Sequence, residues 1–192
     1  MYYLTTTEEI QTAIYKFSDY PTLWLDTEVD YLRRKKRLSL IQILINPQDQ
    51  KGEFVYILDV LDKPKLINQF VEQIIINPTI EKVFHNASFD LAYLGGKELS
   101  ENITCTFKLA QTIPLEILGT SNRKLKTLAK ELCKFTNIDE AEQTSDWGQR
   151  PLTAKQLNYA KMDVIYLATV HHSLQEIIAV KGQKKCLKIT SL

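Results

Sequence analysis

The 192-residue sequence predicts an α/β domain, a mixed five-stranded sheet covered by helices on both faces. Three strand-like segments rich in Ile, Leu, Val and aromatics come first, in immediate succession. Two more then alternate with stretches of helical periodicity. The composition, 44% hydrophobic and 24% charged, is that of a globule that can bury one full core. A single domain over residues 1–192 is expected, with a basic tail over about 181–192 that is solvated or frayed.

The elements follow in order. Thr6 and Glu9 have capping-box spacing ahead of Ile10, Ala13, Ile14 and Phe17, which predicts a first amphipathic helix. "TLWLDTEV", "RLSLIQILIN" and "EFVYILD" are the three successive strands, with the polar "PQDQKG" joining the last two. "PKLINQFVEQIII" carries Leu66, Phe70 and Ile74 at helical spacing and starts with a proline, which a first helical turn tolerates. "TIEKVFHN" is a fourth strand, "SFDLAYLGG" a helix ended by glycine, and "NITCTF" a short fifth strand. "KLAQTIPLEIL" and "KLKTLAKELC" are expected helices, and Thr153 and Gln156 cap a last one running to about Val180.

Net charge of +1 excludes a globally basic nucleic-acid protein and leaves local patches open. Cys105, Cys133 and Cys186 are widely spaced and form no CxxC, so neither a disulfide framework nor a zinc site is expected; a reducing cytoplasm fits. "MYYLTTTEEI" lacks a signal-peptide pattern, and no apolar run reaches the roughly 18 residues of a membrane span.

The chemistry starts at "LWLDTEVD". Asp26, Glu28 and Asp30 occupy alternate positions and would project from one face of a strand, where like charges repel. Asp26 and Glu28 lie near the strand's C-terminal end, where α/β sheets open their ligand crevice. Asp90 sits in the first turn of the helix after "VFHN", and Tyr159 and Asp163 share a face of the last helix, one turn apart. Singly, each acid reads as an ordinary solvated charge. Convergence of all four would be an electrostatic liability without a cation, and hard divalent cations prefer oxygen ligands. Two such ions about 3.5–4 Å apart can activate a water and stabilise the leaving oxygen of a phosphodiester.

"DTE", "HNASFD" and "YAKMD" resemble the three motifs of the DEDD superfamily of 3′-5′ exonucleases, across about Leu23 to Leu167. The resemblance implies a ribonuclease H-like fold. In that superfamily the third motif carries a histidine five residues before its aspartate or a tyrosine four before it; here Asn158 and Tyr159 occupy those positions, so the tyrosine (DEDDy) branch matches. "SDWGQRPLTAKQLNYAKMD" is similar to ribonuclease D and the Werner-type exonucleases, although ribonuclease D usually carries further helical domains after this core.

The resemblance implies Asp26, Glu28 and Asp163 around the metal nearer the nucleophilic water, with Asp26 shared with a second metal held by Asp90, both Mg²⁺ or Mn²⁺. It implies that the Tyr159 hydroxyl orients that water, and that the partners are 3′ ends of RNA or single-stranded DNA, released as nucleoside 5′-monophosphates. Asp30 has no counterpart in the pattern and is expected to be a solvated edge residue. A module that binds nucleic acid without turnover is the alternative, disfavoured by the intact set of five groups. Neither the choice of sugar nor the oligomeric state is written in these motifs.

Around the acids, Thr27, Gln42, Asn86, Phe89, Trp147, Arg33 and Arg34 are candidate substrate contacts. Asn86 could hydrogen-bond the terminal nucleotide and Phe89 could stack on a base, or simply pack in the core. Trp147 shapes the groove or pins its loop; Gln42 is a contact on the open face or an edge residue. His85 is expected to be a packed strand-end histidine. Arg33 to Arg37, "RRKKR", follow the acidic strand and would steer phosphates, the alternative being a solvated loop.

Overall fold

The computed structural model describes residues 1–189, with side chains described through Val180. Six strands form one mixed sheet in the order β1-β4-β3-β2-β5-β6, and not the five expected. The added strand is β1 (Tyr2–Leu4), which pairs parallel to β4 (Val55–Asp59) at the edge. Three residues are too few to show a period in sequence. What fixes them is long-range: Tyr2 stacks on Tyr56 with ring centroids 4.7 Å apart, and the Tyr3 hydroxyl donates to Asp59 at 2.7 Å.

At the centre, β2 (Thr22–Asp30), β3 (Arg37–Leu44) and β4 form an antiparallel meander, and β5 (Glu81–Phe84) and β6 (Ile103–Cys105) extend β2 in parallel. Strict alternation along β2 decides what meets what. Leu23, Leu25 and Val29 pack against α1 (Thr7–Phe17) and α2 (Pro64–Phe70), whose Ile10, Ile14, Phe17 and Phe70 are fully buried. Trp24 points the other way, into a core shared with Leu44, Val83, Ala160, Val164 and Ala168. Asp26 and Glu28 follow Trp24 at two-residue steps, so an apolar strand delivers its carboxylates to the face covered by α7 (Ala154–Ile189).

The helix starts obey the caps expected of them. Thr6 and Glu9 form a reciprocal capping box, and Thr153 and Gln156 another, with Gln156 N–H donating to Thr153 Oγ1 at 3.1 Å. Pro64 sits in the first turn of α2, which continues as a π-helical turn over Val71–Ile75. After α3 (Ser88–Leu91), "KLAQTIPLEIL" is two helices and not one: α4 (Thr106–Gln111) and α5 (Leu115–Leu118) are separated at Pro114, which has no N–H to continue the ladder. α6 (Leu125–Thr127) runs on into a π-helical turn over Leu128–Leu132, which packs Leu128 and Ala129 against Tyr166 and Val170 of α7. The α7 backbone is helical to Ile189, past the expected end at Val180. The expected solvated tail lies outside the described side chains. No helix among the described residues is long and apolar enough to cross a membrane.

One polar latch holds the loop before α7 on the sheet. Asp59, 5% exposed, accepts from Arg150 Nη2 at 2.8 Å and from Tyr3, while Arg150 Nη2 also donates to Ser39 Oγ at 3.0 Å. Ser39 Oγ in turn donates to the Trp147 carbonyl at 2.6 Å. Burial would raise the Asp59 carboxyl, but the Arg150 and Tyr3 hydrogen bonds hold it below its ordinary value. Removing one partner of such a pair leaves the other buried and uncompensated. Asp59→Ala should therefore destabilise the fold by about 2–4 kcal/mol in urea unfolding, with Arg150→Ala costing a similar amount. The double variant should lose far less than the sum of the two; simple additivity would show the latch is not one unit.

Candidate active site

Side-chain alternation on β2 and one helical turn of α7 build the acidic centre. Carboxylate oxygens of Asp26, Glu28 and Asp163 lie within 4.8 Å of one another. Asp90, buried at 2% exposure on α3, accepts from Thr27 Oγ1 at 2.7 Å, so a β2 hydroxyl fixes the acid brought by the neighbouring helix. Asp26, Glu28 and Asp163 line one open groove of about 1050 Å³ together with Thr27, Tyr159, Trp147 and His85, with Asp90 behind Thr27.

The electrostatics follow from that confinement. Burial, then the charges of Asp90 and Asp163, push the Asp26 carboxyl well above its ordinary range. Burial and the charges of Asp26 and Asp163 do the same to Glu28. Burial also carries Asp90 up to about 7, against the pull of its Thr27 hydrogen bond. Asp163 rises only to about 6, because Lys126 partly offsets its burial. Hard oxygen donors that repel one another at this spacing match what a divalent cation requires, and Asp26, Glu28 and Asp163 are the residues able to hold one.

Tyr159 stands one turn before Asp163, 6% exposed, its ring between Trp147 at 6.0 Å and the Lys126 ammonium at 3.4 Å from the ring centroid. Burial and the adjacent acids raise its phenol far above any working pH, so the hydroxyl stays protonated. His85 is both packed and groove-lining: Nδ1 is 2.8 Å from Thr106 Oγ1 and its ring meets Phe107 edge-on at 5.7 Å. Burial lowers it to about 4, so it is neutral.

The other sequence candidates divide. Asn86 and Phe89 line the groove beside His85; Asn86 takes φ 62°, a left-handed turn that asparagine tolerates and that ends β5. Phe89 is 40% exposed, its ring 6.3 Å from that of Tyr31 and 5.8 Å from that of Tyr93, so it is not a core contact. Trp147 does both things expected of it, lining the groove while its carbonyl anchors the loop. Thr27 lines the groove with its hydroxyl committed to Asp90.

Gln42 shares the sheet face of Asp26 but does not line the groove, and it is not at an edge. It sits on central strand β3 directly opposite Asp26, fully buried, with no hydrogen-bond partner for its amide. Arg33 and Arg34 are exposed in the loop after β2 and do not line the groove; Arg33 Nε lies 3.4 Å from Asp30. Arg37 leaves the expected steering run, because it pairs with Asp30 at 2.7 Å and with Asp62. Asp30 is the clearest correction: it is fully buried and not solvated. Gly148 explains how, since a Cβ there would come within 2.6 Å of Asp30 Oδ2. Burial would raise this carboxyl, but Arg37 holds it below its ordinary value.

Lys126 was not singled out in the sequence. In "KLKTLAKELC" it is one lysine among three, and only the tertiary fold distinguishes it, bringing its ammonium 3.1 Å from Asp163 Oδ1.

Comparison with known proteins gives the same answer as the geometry. The 3′-5′ exonuclease family matches over residues 1–179. The chain is 30% identical to DNA polymerase I of Aquifex aeolicus over 176 residues, 92% of this chain and 27% of the relative. It is 32% identical to ribonuclease D of Desulfotalea psychrophila over 182 residues, 93% of this chain and 46% of the relative. The crystal structure of Escherichia coli RNase D superposes with a TM-score of 0.71 at 25% identity, covering 95% of this chain and 46% of that one. The chain thus spans less than half the length of these relatives. With the acids and the tyrosine converging in one groove of a mixed, helix-covered sheet, the chain belongs to the 3′-5′ exonuclease family of the DEDD superfamily and strongly resembles the ribonuclease D members of its tyrosine branch.

Proposed function

We propose that the protein is a metal-dependent 3′-5′ exonuclease that removes nucleoside 5′-monophosphates from the 3′ end of RNA. The observation that carries this is the convergence of Asp26, Glu28 and Asp163 oxygens within 4.8 Å at the floor of a groove that also holds Tyr159. The likeness to RNase D, described for E. coli as an exoribonuclease involved in structured RNA processing, favours RNA. The likeness to DNA polymerase I makes single-stranded DNA the second candidate.

Asp26, Glu28 and Asp163 would hold one Mg²⁺ or Mn²⁺, and Asp26 with Asp90 a second. Such a pair lowers the cost of forming hydroxide and neutralises charge on the leaving oxygen. Within this reading, Thr27 keeps Asp90 aimed inward. The protonated Tyr159 hydroxyl orients the attacking water, whose oxygen bonds to phosphorus as the 3′ oxygen of the preceding nucleotide departs. Asn86 and Phe89 seat the terminal nucleotide, the ring by stacking without sequence preference. Arg34 and its exposed basic neighbours raise the local concentration of the polyanion.

Incubating 5′-labelled and 3′-labelled RNA and DNA strands with Mg²⁺ or Mn²⁺ should release labelled mononucleotide from the 3′ label first. Internal fragments at early times would mean endonuclease action. Asp26→Asn should nearly abolish release at unchanged folded content by circular dichroism; substantial residual activity would remove Asp26 from the centre. Tyr159→Phe should preserve metal and oligonucleotide affinity and cut turnover roughly 10²-fold or more. Parental turnover in that variant would make Tyr159 a packing residue.

The acids also predict how stability depends on pH. Asp90, near 7 when folded against an ordinary 3.8, binds more protons folded than unfolded, as do Asp26 and Glu28. Their contribution is complete at low pH and is lost as pH climbs through the folded values. Buried His85 works in the opposite direction, but only between about 4 and its ordinary 6.5. In EDTA the melting temperature should therefore fall from pH 6.5 to pH 8, and Mg²⁺ should narrow the difference. A rise over that interval in EDTA would mean that burial does not raise these acids in the fold.

A further inference from the structure

Lys126 is the one cation the fold places against the acidic centre, among the described residues. Its ammonium lies 3.1 Å from Asp163 Oδ1 without hydrogen-bond alignment, donates to the Asp139 carbonyl at 3.1 Å, and covers the Tyr159 ring at 3.4 Å. The side chain is 13% exposed and lines the groove next to Lys124. It therefore touches both the acid expected to hold a metal and the tyrosine expected to orient the water. A poorly aligned charge contact is held by Coulomb attraction alone, which an entering divalent cation at Asp163 would replace with repulsion. A lysine stem has the rotatable bonds to turn its head into the adjoining groove, where the backbone of a bound strand presents phosphate oxygens.

We propose that Lys126 changes partner during the reaction: it neutralises Asp163 in the metal-free protein and, once metal occupies the acids, binds a phosphate of the substrate strand. This rests on the exonuclease reading above and adds a residue to it. Lys126 thereby sets the metal affinity of the resting protein, because the ion at Asp163 must displace a built-in cation. It also makes the groove basic only when the acids are already neutralised.

Two variants test this. Lys126→Gln keeps an N–H donor for the Asp139 carbonyl but removes the charge, and Lys126→Arg keeps the charge. Without nucleic acid, Mn²⁺ binding followed by electron paramagnetic resonance should be roughly threefold to tenfold tighter in Lys126→Gln than in the parent. At saturating Mn²⁺ the same variant should release mononucleotides from a single-stranded RNA oligomer roughly tenfold or more slowly, and Lys126→Arg should recover most of the loss. Mn²⁺ affinity that is unchanged or weaker in Lys126→Gln overturns the proposal, as does parental turnover at saturation. Should the parent release no mononucleotide, the exonuclease reading fails by itself. The Mn²⁺ comparison then still decides the pairing, and oligomer affinity in Mn²⁺, expected to weaken in Lys126→Gln, decides the phosphate contact.

Discussion

Mutual repulsion among carboxylates that the fold refuses to let apart is the constraint on which the site depends. Asp26 and Glu28 cannot turn away, because Leu25 and Val29 on either side of the pair are anchored in the opposite core and the strand alternates rigidly. Asp163 cannot retreat either, because Ala160, Val164 and Leu167 of the same helix are packed on the sheet. The apolar packing on both faces of β2 therefore supplies the free energy that holds like charges together. An acidic site of this kind is strained until a cation arrives, and the strain is carried by a core whose residues never touch the chemistry.

Much of this was legible in the sequence because it is local. Two capping boxes, the proline that opens α2 and the apolar strand segments are patterns within about ten residues, and all appear where expected. Asp26, Glu28 and Asp163 could be matched to each other because each sits in a short motif of distinctive residues. Apart from the break at Pro114, the misses are products of tertiary placement. β1 forms only because β4 offers an edge and Tyr3 finds Asp59. Gln42 looked like an edge residue, but its strand is central, and Lys126 could not be told from its neighbours before α6 met α7.

On the proposed reading a polyanion approaches a floor of three acids, backed by Asp90, on a chain whose net charge is only +1. The distribution solves this. Lys124 and Lys126 line one wall of the groove, and Arg34, Lys35 and Lys36 project from the exposed loop that follows β2. Between floor and loop lie Phe89 and Tyr31, partly exposed aromatic faces suited to bases rather than phosphates. On the proposed reading, backbone and base would thus meet different surfaces, neither of which requires a particular sequence.

The same strand also shows how identical chemistry is divided between function and structure. Asp26, Glu28 and Asp30 look equivalent in sequence, but the register of β2 on β3 slips between Glu28 and Val29: Glu28 faces Leu40, Val29 faces Leu38, and Ser39 is left over. The extra residue of that bulge lies in β3, while β2 keeps alternating, with Val29 still packed beside Leu25 in the opposite core. Beyond it Asp30 pairs with Arg37 and lies under Gly148, while the unpaired Ser39 turns its hydroxyl to the Trp147 carbonyl and accepts from Arg150. The extra residue of β3 therefore anchors the loop that carries Trp147, through Ser39 and Arg150, while the third carboxylate is taken up by Arg37 beneath Gly148. That loop forms a wall of the groove, so a residue outside the acidic cluster helps shape the space in which the acids act.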